Sequence, residues 1–282
     1  MDILPDKSYI WQYIEKTVRA VAAKSGYGEI RFPTFEVTEL FNRGVGGTTD
    51  IVQKEMYTFE DKDGRSMSLR PEGTACVVRS IIENGLCMQA MPLKLYYLGS
   101  FFRYEKPQAG RSREFVQFGA ELFGSNSAFA DAELILLASG VFKALGVKSV
   151  TLKINSIGCN ECRGDFRAAL KAYFENKKDK LCDTCKGRLE TNPLRILDCK
   201  CPECAAVAKD APKTIEYLCD DCKTHFESLK AVLEASEVRF EVDPFIVRGL
   251  DYYTGTVFEF VGGTGAAQST VCGGGRYDML VS

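Results

Sequence analysis

Histidine is nearly missing from this chain: His225 is the only one in 282 residues. A Ser–His or Cys–His nucleophile needs a proton acceptor beside it. This histidine falls on a predicted helix in a cysteine-rich stretch, where surface packing or metal binding suits it better. Also missing are a Gly-rich loop ending in Gly-Lys-Ser or Gly-Lys-Thr and a strand-turn-helix carrying Gly-x-Gly-x-x-Gly, which disfavours the common ATP-loop and dinucleotide folds. Long apolar runs are lacking too. Stretches such as Leu134 to Ala138 fall far short of the ~20 residues that span a bilayer. Met1-Asp2-Ile3-Leu4-Pro5 has neither a basic nor an apolar leader region, so a cytoplasmic protein with no membrane contact is expected. A formal charge of −2 exerts no overall pull on nucleic acid, and any RNA contact would come from local basic patches. No tandem repeat or low-complexity tract is present.

What is present fits a globular chain: 45% hydrophobic and 26% charged residues, enough for one large domain or two smaller ones. Nine of the twelve cysteines lie between Cys159 and Cys222. In a reducing compartment they are thiols or metal ligands rather than a disulfide framework. Four Cys-x2-Cys pairs, Cys159/Cys162, Cys182/Cys185, Cys201/Cys204 and Cys219/Cys222, have the spacing with which two thiolates grip one tetrahedral ion, which suggests two structural zinc sites. The spacing leaves open how the pairs combine and where Cys199 belongs.

The pattern along the chain predicts an α+β fold. A first helix capped by Asp6 carries Ile10, Ile14, Val18 and Val21 on one stripe and closes at Gly26. A strand over Glu29 to Phe32 then meets Pro33. Thr74 to Asn84 is helical, Leu93 to Leu98 and Phe115 to Phe123 are strands, and Phe129 to Leu145 is helical. In the second of those strands Val116, Phe118, Ala120 and Leu122 should face a core. Gln117, Gly119 and Glu121 line the other side, with the two polar residues roughly 13 Å apart and a gap at the glycine. After a strand over Val150 to Asn155, residues 157–237 form a charge-dense helical insertion, with Phe166, Leu170 and Phe174 on one stripe and Phe226, Leu229 and Leu233 on another. Strands resume at Val238 to Val242 and Thr256 to Val261, and Gly273-Gly274-Gly275 is expected to turn. Domain boundaries are thus expected at 1–156, 157–237 and 238–282.

Three segments are charged and interrupted by glycine: Leu69-Arg70-Pro71-Glu72-Gly73-Thr74, Phe102-Arg103-Tyr104-Glu105 running on to Arg111, Arg113, Gln117 and Glu121, and Arg248-Gly249-Leu250-Asp251-Tyr252-Tyr253-Thr254-Gly255, the last with no apolar periodicity to explain it. A guanidinium is a planar, permanently charged fork suited to phosphates and carboxylates, a role that Arg103 and Arg248 could fill. Glu105, two residues beyond Arg103, would share its face in a strand and could accept from an amino group such as that of adenine. Arg111 and Arg113 flank a loop with Pro107 and Gly110, fit to close over a triphosphate. Such a site works by positioning and charge stabilisation.

Together these segments resemble the catalytic core of histidyl-tRNA synthetases, a class II family. Phe102 to Glu105 and Gln117 to Glu121 look like its motif 2. Arg248 to Tyr253 resembles a histidine-specific signature, and the first helix and strand resemble motif 1, a dimer element. The resemblance implies a mixed, mainly antiparallel sheet flanked by helices. It also implies a homodimer that activates L-histidine with ATP and Mg2+ and charges tRNA(His). It places Glu72, Gly73, Thr74, Gln117, Glu121, Tyr252 and Tyr253 around histidine, with Glu72 and Thr74 at the α-amino group and Glu121 and Tyr253 at the imidazole. Arg103 and Arg248 would grip the α-phosphate, Glu105 and Phe115 would frame the adenine, and Arg113 would reach the γ-phosphate. The insertion would lie over the tRNA acceptor stem. Motif 3 and an anticodon-reading domain are not found, so a catalytic-domain fragment is expected. Alternatives are a synthetase-like histidine-binding regulatory subunit of ATP phosphoribosyltransferase and a zinc-stabilised RNA-binding module without catalysis.

Overall fold

Proline at the first position of a helix loses nothing, because that amide has no partner within the helix. Pro5 takes this position in helix α1 (Pro5–Lys24), Leu4 is its N-cap, and Asp6 lies in the first turn, where it complements the helix dipole rather than capping. The computed structural model describes residues 2–46, 49–105, 111–197, 199, 201–246, 250, 252–263 and 270–281. Gly26 closes α1 at φ +80°. Of the expected stripe only Val18 is buried, and Ile10 and Ile14 are exposed.

The chain divides into two compact units, Met1–Ser149 with Leu250–Tyr252 and Leu280–Ser282, and Val150–Gly249 with Tyr253–Met279. In the first unit α1 is followed by strands β1 (Gly28–Glu29) and β2 (Phe35–Val37), helix α2 (Thr38–Phe41), strands β3 (Thr58–Glu60) and β4 (Ser66–Leu69), helix α3 (Thr74–Glu83), the long strands β5 (Leu93–Phe102) and β6 (Glu114–Phe123), and helix α4 (Ala128–Ala144). One sheet has the order β1-β5-β6, with β5 and β6 antiparallel, and a smaller one has β2-β4-β3. The strand expected over Glu29 to Phe32 stops after Glu29. Arg70 takes the Phe32 carbonyl at 2.8 Å and that of Pro33 at 3.2 Å, which would otherwise face a sheet partner. Tyr27, Tyr96, Phe118 and Ala120 pack with Ala22 of α1 and Leu137 of α4. Ser127 caps α4, its Oγ accepting from the Phe129 amide at 3.1 Å. The expected core face of β6 therefore forms at Phe118 and Ala120, whereas Val116 near its start is exposed.

In the second unit strand β7 (Val150–Ser156) leads into helices α5 (Asn160–Glu175), α6 (Asp183–Thr191), α7 (Pro202–Ala208) and α8 (Asp220–Ala235). Strands β8 (Phe240–Val242), β9 (Thr254–Gly262) and β10 (Thr270–Arg276) follow. The sheet order is β10-β9-β7-β8, antiparallel except for the β7–β8 pair. Phe166, Leu170 and Phe174 are fully buried with Leu189 and Ile196, and Phe226, Leu229 and Leu233 are buried as their period predicts. Gly273, Gly274 and Gly275 do not turn. They pair within β10 opposite Glu259, Phe258 and Val257, and a Cβ on Gly274 would lie 2.7 Å from Cζ of Phe258, so glycine here makes room for an aromatic ring.

Phe174 is fully buried in the α5–α7 core. Phe174→Ala should cost about 3–5 kcal/mol of unfolding free energy, read by denaturant titration; a loss under about 1 kcal/mol would contradict this packing.

Candidate active site and thiolate centres

The first amides of a helix have no acceptor within it, and a side chain can supply one. At the start of α3 Glu72 does so twice. Its Oε2 accepts from the Thr74 amide at 2.9 Å and its Oε1 from the Ala75 amide at 2.8 Å. The carboxylate is only 4% exposed. Burial pushes its pKa up, against the two amide donors and the nearby charge of Arg103. Tyr252 adds a third hydrogen bond, its hydroxyl donating to Oε2 at 3.3 Å. The Thr74 hydroxyl donates in turn to Oε1 of Glu121 at 2.9 Å, and Glu121 is also buried. Four of the residues expected around histidine, Glu72, Thr74, Glu121 and Tyr252, are thus joined in one buried hydrogen-bonded group.

Gly73 and Gly119 are there for a reason that sequence reading missed. Tyr97 of β5 lies opposite Gly119 of β6, and its ring fills the space that a Cβ on Gly73 or on Gly119 would need. The gap expected between Gln117 and Glu121 is therefore taken by a phenol from the neighbouring strand. Tyr97 is itself buried and packs edge-on against Phe32 at 5.4 Å. The half-buried Gln117 faces Gly99 across the strands, above which Arg70 lies. Arg70 acts as a brace: it donates to the Ser100 carbonyl at 2.7 Å and packs over the rings of Phe32 and Phe101.

Arg103 follows directly on β5. Its Nε donates to the Pro71 carbonyl at 2.8 Å and its guanidinium lies over Phe115, 5.3 Å from the ring centroid. The strand does not continue through Glu105 as expected. The Arg103 amide still pairs with the Arg113 carbonyl, but the Tyr104 amide leaves the ladder for the Glu55 carbonyl at 2.7 Å. Glu105 is paired with Arg111 at 2.7 Å, and Arg113 stacks on Tyr104 at 4.0 Å. Burial, and then the charge of Glu105, push the Glu55 carboxyl up, with Arg103 and Arg111 opposing. Glu55 was not singled out from sequence, and nothing in its local pattern marks it.

Arg248, Gly249 and Asp251, like Pro107 and Gly110 of the expected lid, lie outside the described residues. Tyr253 belongs to the second unit, where it is buried and its carbonyl accepts from Arg163 of α5.

The second unit also holds two groups of four thiols, each with all sulfur atoms within 4.8 Å of one another: Cys159, Cys162, Cys219 and Cys222, and Cys182, Cys185, Cys199 and Cys204. The Sγ separations of 3.6 Å for Cys159–Cys162 and 3.9 Å for Cys182–Cys199 are far too long for disulfides and close to the ~3.8 Å edge of a tetrahedron with metal–sulfur bonds of ~2.3 Å. Cys159, Cys182 and Cys219 are N-caps of α5, α6 and α8, so the positive end of a helix dipole lies beside each group. Amides also donate to sulfur, from Cys219 to Cys162 at 3.1 Å and from Cys182 to Cys204 at 3.2 Å. Either group could hold a metal ion. The second takes Cys199 where spacing favoured Cys201, which instead caps α7 and packs against the helical core. His225 is half-buried on α8 and belongs to neither group.

A sequence model of the family described as "Histidyl-tRNA synthetase" matches residues 1–282. The histidine–tRNA ligase of Caldicellulosiruptor saccharolyticus is 60% identical over 280 residues, covering 99% of this chain and 67% of the relative. That of Clostridium botulinum (strain Langeland) is 55% identical, covering 99% of this chain and 66% of its own length. Among solved structures, apo S. aureus histidyl-tRNA synthetase superposes with a TM-score of 0.80 at 38% identity, over 100% of this chain and 65% of that one. The chain thus spans about two thirds of the length of these relatives.

Gly119→Ala should displace Tyr97 and lower stability by about 1–3 kcal/mol. Gly140→Ala, on α4, meets only an ordinary contact at 3.7 Å and should be neutral or stabilising; equal effects would refute the packing of Tyr97. For the thiolate centres, elemental analysis should find one metal ion fewer in Cys199→Ala and no loss in Cys201→Ala. The reverse result would assign the fourth ligand to Cys201.

Proposed function

Because the chain belongs to the histidyl-tRNA synthetase family, we propose that it is the histidine- and ATP-binding core of a cytoplasmic, homodimeric histidine–tRNA ligase. The observation that carries this reading is the buried linkage of Glu72 and Glu121 through Thr74, beside Arg103. Two enclosed carboxylates suit a ligand that brings both an ammonium group and a ring N–H, as histidine does. Glu72 and Thr74 receive the α-amino group, with Gly73 giving passage to Tyr97 beneath them. Glu121, Gln117, Tyr252 and Tyr253 serve the rest of the amino acid, Glu121 and Tyr253 reading the imidazole. A site built on such donors and acceptors rejects isosteres that leave them unpaired.

In the first step a carboxylate oxygen of histidine attacks the α-phosphorus of ATP, the bond to pyrophosphate breaks, and histidyl-adenylate forms. Arg103 and Arg248 hold the charge that develops on the phosphoryl oxygens. Phe115 and Glu105 frame the adenine, and Arg113 meets the γ-phosphate. Mg2+ accompanying the outer phosphates would take oxygen ligands and would neutralise the phosphate charge; Glu55 and Glu105 stand close enough to repel each other. In the second step a terminal ribose hydroxyl of tRNA(His) attacks the activated carbonyl and AMP departs. The thiolate groups hold structural Zn2+, a reading supported by their tetrahedral spacing. The proposed division is a core of 1–156 and 238–282 with the insertion of 157–237 between them.

The full-length protein should catalyse histidine-dependent exchange of pyrophosphate into ATP. Arg248→Ala should reduce the exchange at least a hundredfold with its circular dichroism unchanged. Histidine binding without exchange in the wild type would overturn this reading in favour of a regulatory subunit. Glu121→Ala should raise KM for histidine at least tenfold with little change in KM for ATP.

A further inference from the structure

The first thiolate centre stands at the place where β7 enters α5, and the same few residues hold the backbone of the Tyr253–Gly255 segment. The Ile157 amide donates to the Gly255 carbonyl at 2.8 Å, and the Gly255 amide donates back to the Gly158 carbonyl at 2.9 Å. The next residue, Cys159, is both the N-cap of α5 and a member of the centre. Gly158 has φ +68°, and a Cβ on it would lie 2.7 Å from that of Cys162. Only glycine therefore lets the backbone link to Gly255 sit one residue from the thiolates. Arg163, directly after Cys162, extends a guanidinium N–H to the Tyr253 carbonyl. A charged donor on a carbonyl is among the stronger hydrogen bonds a protein makes. Residues 157–163 thus supply two of the four thiols and three bonds to the segment of Tyr253. The other two thiols come from the start of α8, some sixty positions further on.

We propose that the Cys159/Cys162/Cys219/Cys222 centre is a positioning device for histidine recognition, and that Arg163 is the positioning residue through which it acts on Tyr253. This rests on Tyr253 being a histidine contact, as proposed above. With the start of α5 anchored to the start of α8, Arg163 and the Ile157–Gly158 backbone are fixed points. The entry of β9, and with it the buried Tyr253 side chain, is held against them. Among the described residues the other centre shows no such link. Cys182, Cys185, Cys199 and Cys204 pack with Leu170, Phe174, Leu189 and Ile196 in the helical core, so its ion serves stability alone. The two metal sites therefore have separable roles.

The full-length protein tests this with Arg163→Met, Arg163→Lys, Cys222→Ser and Cys185→Ser. Metal content, melting temperature, calorimetric histidine affinity and pyrophosphate-exchange KM values are measured for each. Arg163→Met should keep both metal ions and its melting temperature, yet weaken histidine binding and raise histidine KM about tenfold with ATP KM changed less than twofold. Arg163→Lys, which retains a cationic donor, should recover part of the loss. Cys222→Ser should lose one ion and reproduce the histidine defect. Cys185→Ser should lose the other ion and melt earlier with histidine KM unchanged in the folded protein. Unchanged histidine affinity in Arg163→Met, or an equal rise in KM for both substrates, would overturn the inference. Absence of exchange in the wild type would instead strike at the functional reading.

Discussion

A carboxylate removed from water must be met by hydrogen-bond donors, and the first unit is arranged around that demand. Glu72 draws its donors from the start of α3, which fixes where that helix begins and brings Thr74 within reach of Glu121. Thr74 serves the two acids at once, with its amide on one and its hydroxyl on the other. The arrangement also accounts for the glycines. Gly73 and Gly119 flank the ring of Tyr97, which closes the space beneath the linked acids. Arg70 and Arg103 hold the surrounding chain by donating to main-chain carbonyls. Arg70 lies in the turn before α3 and Arg103 directly after β5, so the linked acids are held by chain that borders regular elements.

In the second unit the equivalent organising demand comes from sulfur. Eight thiols in two compact groups would repel one another as thiolates, and a cation in each group would remove that conflict. Helix N-termini face both groups, so local backbone polarity and the charge of the ligands act in the same direction.

Much of this was legible in the sequence wherever one simple period governs burial. The stripes Phe166/Leu170/Phe174 and Phe226/Leu229/Leu233 are helical and face a core, and they are buried as their spacing requires. The segment around Glu72 was recognisable because it is charged and interrupted by glycine, and Glu121 because it falls on the polar face of an alternating strand. What escaped depends on register between elements. That Tyr97 stands opposite Gly119 follows from how β5 pairs with β6, which neither strand reveals alone. The glycines of β10 look like a turn until the ring of Phe258 is placed above them. Spacing paired Cys201 with Cys204 and left Cys199 unplaced, because a spacing rule sees neighbours in sequence; the group that forms takes Cys199, and Cys201 stands at the N-cap of α7. The end of β5 at Phe102 reflects a main-chain bond to Glu55, nearly fifty residues earlier.

The central claim is that the linked acids of the first unit receive the ammonium group of histidine. Calorimetric titration of the full-length protein with L-histidine and with imidazolepropionate, which keeps the ring and carboxylate but has no amino group, addresses it most directly. The account predicts that the analogue binds roughly a hundredfold more weakly, since it leaves a buried charge unanswered. Equal affinities for the two ligands would contradict it.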